Sequence, residues 1–354
     1  MRRARVRRRA GATRLLRPPT GVDADAGGAI AGPPVLRRAR PDDVGRIAEV
    51  LDECTRHYLG RPSSRDDALV RLRQGNSAQD FRLALDSDGN AAGFGHVWAV
   101  PPDEVRGFVR VRPSGKGRGV GAALLSWIAP RAREIAREVS LDHDAVLTVT
   151  SWAQDPNAAA LLEQNGFAPL RHFLQMRIDL GPSLQDPGLP EGLESRCFSS
   201  GTDDADLFAA YREAFADHWG NTEVDETQWW GENRDDPNAG FDPALWVLVQ
   251  EGRTIAGFSI CRERQDACET IGWISLLGVR PRWRGRGLGE ALLVQSLNAF
   301  QSRGRRRAAL NVDVDNTTAA LRLYMKIGMA PTPAFTVWSK ALDNQPVSVP
   351  GSGG

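Results

Sequence analysis

With 354 residues and 41% hydrophobic side chains, the chain is long enough for two domains with separate cores. Its net charge of +1 excludes a protein that holds polyanions through its overall field, so any anion site has to be local. No stretch comes near the roughly 20 apolar residues that span a bilayer. The four cysteines (Cys54, Cys197, Cys261 and Cys268) form no CxxC pair, so the expected setting is the reducing cytoplasm, without a membrane and without a metal.

Residues 1–33 stand apart. They open MRRARVRRRAGATRLLRPP, carry no aromatic residue and lack a signal-peptide core, so a disordered basic tail that binds no nucleic acid is expected. From Val35 the periodicities settle. VLRRARPDD reads as a short strand, and DVGRIAEVLDECTRHYLG spaces its apolar residues as a helix does. DFRLALDSDGNAAGFGHVWAV gives two strands joined at Asp88-Gly89-Asn90, and EVRGFVRV a fourth strand. GVGAALLSWIAPRAREIARE is an amphipathic helix that Pro130 is expected to kink. AVLTVTSW is a strand, NAAALLEQNGF a short helix ending at Gly166, and RHFLQMRIDL a closing strand.

GPSLQDPGLPEG marks a boundary, and the plan then starts again. LESRCF is a strand, DDADLFAAYREAFADHWG a helix, LWVLVQEGRTIAGFSICRE a hairpin and IGWISLLGV a strand. LGEALLVQSLNAFQSRG is a helix, AALNVDV a strand, TTAALRLYMKIG a helix and FTVWSKAL a final strand. The order of elements is that of a duplicated mixed α/β unit, spanning 34–181 and 190–343 and followed by a flexible tail at 344–354.

Each unit carries the same loop between a strand and a helix, VRPSGKGRGVG at 111–121 and VRPRWRGRGLG at 279–289. Glycines at a helix entry let backbone N–H groups converge where the helix dipole is positive, which suits a phosphate or pyrophosphate. Arginines in the loop add charge-assisted bonds without needing a metal. Neither copy has the Gly-Lys-Ser/Thr of a Walker loop, which argues against a nucleotide triphosphatase. GRGVGA fits a loose dinucleotide fingerprint, but it follows the fourth strand of its unit instead of the first, which is not Rossmann order.

VRPRWRGRGLG resembles the acyl-coenzyme A loop of the GNAT acetyltransferase superfamily, through Arg284, Gly287 and Gly289. NVDVDNTTAALRLYMKIGM is similar to the second signature of that superfamily, with Asn316 one residue further from Tyr324 than is usual. The tandem arrangement with a weakened first copy is similar to mycothiol synthase and its relatives. The resemblance implies two tandem GNAT acyltransferase domains, with acetyl-CoA as co-substrate and a small-molecule amine as acceptor. It places pantetheine along Leu277, Gly278 and Val279, and pyrophosphate on Arg284, Gly285, Arg286, Gly287, Leu288 and Gly289. Asn316 would touch the pantetheine arm, and Tyr324 would protonate the departing thiolate unless it is a packing residue.

For the base that takes the amine proton, His218 has the best-suited intrinsic pKa, with Asp217, Glu269 and Asp313 as alternatives and Trp219 as a wall. In mycothiol synthases an acidic substrate-binding residue stands on the fourth strand, where this chain has Trp273. The first unit keeps Gly117, Gly119 and Gly121 but has Lys116 in the arginine position, a shorter helix at Asn157, and Leu162 where the second has Tyr324. A structural, non-catalytic first unit is therefore expected, with or without a coenzyme molecule held there but not turned over, in a monomer or homodimer. The alternatives are mycothiol synthase activity at a cysteinyl amine, transfer to a protein amino terminus, or a non-catalytic acyl-CoA-binding regulator.

Overall fold

The computed structural model describes residues 33–60, 79–142, 144–216, 224–235, 240–263, 271–314 and 320–342. The expected tails at 1–33 and 344–354 lie outside the described residues, apart from residue 33.

In the first half, β1 (Val35–Arg38) leads into α1 (Val44–Leu59), which buries Val44, Ile47, Val50, Leu51 and Cys54 at helical spacing. Strands β2 (Phe81–Leu85) and β3 (Ala91–Val100) meet at a turn where the Asp86 carboxylate accepts the Asp88 and Asn90 amides. Then come β4 (Glu104–Val111), α2 (Val120–Glu138), β5 (Val146–Trp152), α3 (Pro156–Gln164) and β6 (Ala168–Asp179). Pro130 stands inside α2, which runs on past it and buries Ala132, Ile135 and Ala136.

The second half repeats the order. It contains β7 (Glu194–Cys197), α4 (Asp204–Ala214), α5 (Glu226–Trp230), β8 (Trp246–Glu251), β9 (Thr254–Arg262) and β10 (Ile271–Val279). It ends with α6 (Leu288–Ser302), β11 (Arg307–Asp313), α7 (Ala320–Lys326) and β12 (Ala330–Ala341). Helix α5 was not foreseen from the sequence. Its Asp225 carboxylate caps the Gln228 amide, and Trp229 and Trp230 join Phe198, Phe208 and Trp246 in the core.

Among the described residues, twelve strands form one sheet in the order β1-β2-β3-β4-β5-β12-β6-β11-β10-β9-β8-β7. The last strands of the two halves therefore change places. β12 lies between β5 and β6, while β6 pairs with β11 of the second half. The sequence reading saw β6 and β12 as closing strands without specifying this exchange, because strand partners are set by distant contacts that local patterning does not encode.

One feature recurs in both halves. β4 pairs with β5 in parallel only from Glu104 to Gly107, and β10 with β11 only from Ile271 to Trp273. Beyond those residues each parallel pair is no longer bonded, so strand backbone faces a cleft. In β10 the pairing with β9 also slips between Ile274 and Leu276, which marks Ser275 as a bulge at the start of the unpaired stretch.

Candidate functional site

The cleft of the second half has a volume of about 630 Å³. Its walls are the unpaired part of β10, the glycine loop, the end of β11, α7 and, from the first half, Phe173 of β6. The loop begins with a single helical turn over Pro281–Trp283. It then passes Gly285 at φ 75° and Gly287 at φ 85°, left-handed conformations that side-chain-bearing residues adopt at a cost. Gly287 is the N-cap of α6, so the first amides of that helix have no acceptor within the helix and are available to an anion.

The arginines of the loop divide the work. Arg280 ties it to Glu213 at 2.5 Å and to the Ile255 carbonyl at 3.0 Å. Arg284 turns back, donating to the Val279 carbonyl at 3.0 Å and the Ala214 carbonyl at 2.8 Å. Its guanidinium thus joins the end of β10 to the C-terminus of α4, where a cation also complements the helix dipole. Arg286 is exposed on the loop, and Trp283 is buried beneath it.

Leu277, Gly278, Val279, Arg284, Gly285, Gly287, Leu288, Gly289 and Tyr324, all singled out from the sequence, line this single cleft. Gly278 has no room for a side chain, because a Cβ there would stand 2.6 Å from Phe258 and 3.0 Å from Phe215. Tyr324 is 7% exposed, and burial pushes its phenol up to about 12, so it stays protonated at neutral pH and can serve as a proton donor. Asp313, one of the alternatives for the base, lines the same cleft. His218, Asp217, Trp219, Glu269 and Asn316 lie outside the described residues.

Among the further lining residues that escaped the sequence reading are Phe173, Asn311 and Ser275. Phe173 reaches this cleft only because β6 has changed places, which no local signal in RHFLQMRIDL reveals. Asn311 lies two positions before Asp313, and period-2 alternation from Asp313 would have found it. Ser275 sits at the β10 bulge with its hydroxyl buried and without a partner among the described residues.

The cleft of the first half, about 490 Å³, has the same outline and different chemistry. Its loop has Gly117 at φ 75° and Gly119 at φ 77°. The Lys116 ammonium, however, donates to Asp155 at 2.7 Å and contacts the Tyr58 hydroxyl, which itself donates to Asp155 at 2.7 Å. Burial opposes the charge on Asp155, but hydrogen bonds from Lys116, Tyr58 and the Ala158 amide outweigh it and hold the carboxyl below its usual range.

Arg110 stands nine residues before Gly119, as Gly278 stands nine before Gly287. It is only 9% exposed and spans the gap between the splayed strands. Its guanidinium donates to the Val109 carbonyl at 2.8 Å, to the Thr150 carbonyl at 3.1 Å and to the Thr150 hydroxyl at 3.3 Å. It also lies 4.0 Å from the ring centroid of Phe108 and 4.9 Å from that of Trp152. The Tyr324 position is held by Leu162, which is buried and has no proton to give.

A parallel strand pair that splays beside a bulge, with a glycine loop at one end and a buried phenol inside, defines an acyltransferase of the GNAT fold. Residues 205–329 match the Acetyltransferase (GNAT) family. A mycothiol acetyltransferase of Thermobispora bispora is 32% identical over 309 residues, covering 85% of this chain and 95% of that relative. A GCN5-related N-acetyltransferase from Sphaerobacter thermophilus, known as a crystal structure, superposes with a TM-score of 0.74 at 27% identity, covering 87% and 96% of the two chains. A tandem GNAT protein from the clavulanic acid biosynthesis pathway shares the fold with a TM-score of 0.65 at 16% identity, covering 88% and 98%. The chain belongs to the GNAT acetyltransferase family and is an N-acetyltransferase. Among the described residues, no helix is long and apolar enough to cross a membrane.

Proposed function

We propose that the protein transfers the acetyl group of acetyl-CoA directly to the primary amine of a small molecule in a ternary complex, at the cleft of residues 190–343. The observation that carries this is the sharing of one cleft by a helix-capping glycine loop, an unpaired strand edge and a protonated phenol. The amides of Gly285, Gly287, Leu288 and Gly289 take the pyrophosphate, and exposed Arg286 adds charge. Arg284 acts through the loop, holding it against β10 and α4. Asn316 contacts the pantetheine arm.

The pantetheine arm extends β10 along Leu277, Gly278 and Val279, and an N–H of that edge polarises the thioester carbonyl. The amine lone pair attacks the carbonyl carbon, and the tetrahedral intermediate collapses with cleavage of the C–S bond. Tyr324 delivers its proton to the departing sulfur, and the proton leaving the amine goes to His218. Residues 34–181 are a non-catalytic partner. In that half Arg110 spans the cleft, Asp155 neutralises Lys116, and Leu162 replaces the acid. The setting is the cytoplasm.

A second reading is favoured by the relatives named mycothiol acetyltransferase, and takes the cysteinyl amine of the mycothiol precursor as acceptor. Trp273, standing where an acidic residue is expected for that substrate, argues for another amine. Release of coenzyme A across a panel of amines, including cysteinyl-glucosaminyl-inositol and aminoglycosides, tests both. Release with any member supports acetyl transfer and the best member names the acceptor. A panel with no release contradicts the proposal.

A further inference from the structure

The register of the central strands sets four side chains in one row. Asp313 of β11 is opposite Phe173 of β6, Phe173 is opposite Phe335 of β12, and Phe335 is opposite Trp152 of β5. Residues in register project from the same face of a sheet. This is the face on which the clefts open, since Asp313 and Phe173 line the second and Trp152 the first. The rings of Phe173 and Phe335 are stacked with centroids 4.6 Å apart and planes 15° apart, and both residues are only partly buried. An aromatic pair left partly open beside a carboxylate is a surface for something with both a flat apolar face and a positive charge.

The carboxylate is well placed for that. Asp313 is 12% exposed in its side chain and forms an ion pair with the Arg171 guanidinium 4.0 Å away. It shares its cleft with Leu277 and Tyr324, the groups assigned to the thioester and to the departing sulfur. A cation that reaches Asp313 is therefore inside the chamber where the acetyl group is delivered.

We propose that Asp313 receives the acceptor's ammonium group and that the Phe173–Phe335 pair stacks against a ring attached to it, so that the first half supplies part of the second half's acceptor site through β6. This rests on the second cleft being the acetyl-transfer site, and it specifies the acceptor class: a primary amine next to a ring with an apolar face, either a sugar or an aromatic ring. Phe173 is a specificity-determining residue. The exchange of β6 and β12 then has a functional consequence, because without it the second cleft would lack this wall.

The test is a calorimetric titration of the coenzyme A-saturated protein with phenethylamine, glucosamine and butylamine. At least one ring amine is expected to bind about tenfold more tightly than butylamine, and which one does so distinguishes an aromatic from a sugar acceptor. Phe173→Ala removes that preference and Phe173→Trp keeps it, whereas Asp313→Asn weakens all three amines about tenfold. Coenzyme A affinity stays the same throughout, which a merely structural role would not allow. Phe173→Leu, which keeps apolar volume without the ring, replaces the alanine variant if that one fails to fold. The proposal is overturned if no ring amine binds the wild type, if the variants bind as the wild type does, or if coenzyme affinity falls in parallel. Assaying coenzyme A release with acetyl-CoA separates the two levels. The expected binding pattern without release supports this acceptor site and contradicts acetyl transfer, while release with an unaltered pattern does the reverse.

Discussion

Arg110 offers the sharpest contrast between the halves, and replacing it with the glycine of the matching position separates their roles. Arg110→Gly removes three hydrogen bonds from a guanidinium that is 9% exposed, together with its contacts to the Phe108 and Trp152 rings. Bonds from a charged donor contribute roughly 1.5–3 kcal/mol each, but the loss is partly offset because a buried charge disappears with them. A glycine inside a strand adds about 0.5–1 kcal/mol of destabilisation. The net cost is about 2–3 kcal/mol, which for a chain of this size lowers Tm by about 3–4 °C. Differential scanning calorimetry measures that shift, and coenzyme titration with steady-state kinetics measures function. The wild type is expected to bind one equivalent of coenzyme A, and the variant to transfer acetyl groups at the wild-type rate. Two equivalents bound by the wild type together with activity that survives the loss of Tyr324, or an activity loss above tenfold in a folded variant, would refute the assignment of the first half.

Gly278→Ala forces a Cβ to 2.6 Å from Phe258, which is fully buried, so overpacking of about 1–3 kcal/mol and weaker coenzyme binding are expected by thermal melt and titration. Asp155→Asn leaves the Lys116 charge without its partner in a half-closed cleft and lowers Tm, while transfer kinetics stay unchanged. Because Asp155 is held below the usual carboxylate range, its contribution is present above the unfolded-state pKa and is lost as pH falls through the folded one. Acid unfolding curves of wild type and Asp155→Asn therefore converge at low pH. Tyr324 has the opposite sign: raised from 10.0 to about 12, it contributes stability that is whole below pH 10 and disappears as pH rises towards 12. Alkaline unfolding of Tyr324→Phe is expected to lack that loss.

What the sequence revealed was whatever depends on short stretches of chain. Two strands, a glycine loop and a helix can be recognised from alternation, from glycines that tolerate φ near 80° and from helical spacing, and so the loop residues and Tyr324 were found together. Gly278 also belonged to that set, although the reason it is glycine, the ring of Phe258, emerges only from packing. The exchange of β6 and β12 was not legible, since both strands suit either place locally and the choice is made by partners more than a hundred residues away. Phe173 was missed for that reason. Arg284 was read as a phosphate ligand from its place in the motif, but its direction depends on the carbonyls of Val279 and Ala214, of which the second lies in a distant helix. Arg110 looked like an ordinary strand residue until the splay gave it a gap to span.

The central claim is that acetyl transfer takes place in the second cleft with Tyr324 as the acid. Its most direct measurement is the turnover of Tyr324→Phe with saturating acetyl-CoA and amine. A fall in kcat of about 100-fold with coenzyme affinity unchanged is the outcome expected when a general acid is removed and nothing else moves. Turnover equal to that of the wild type would contradict the account.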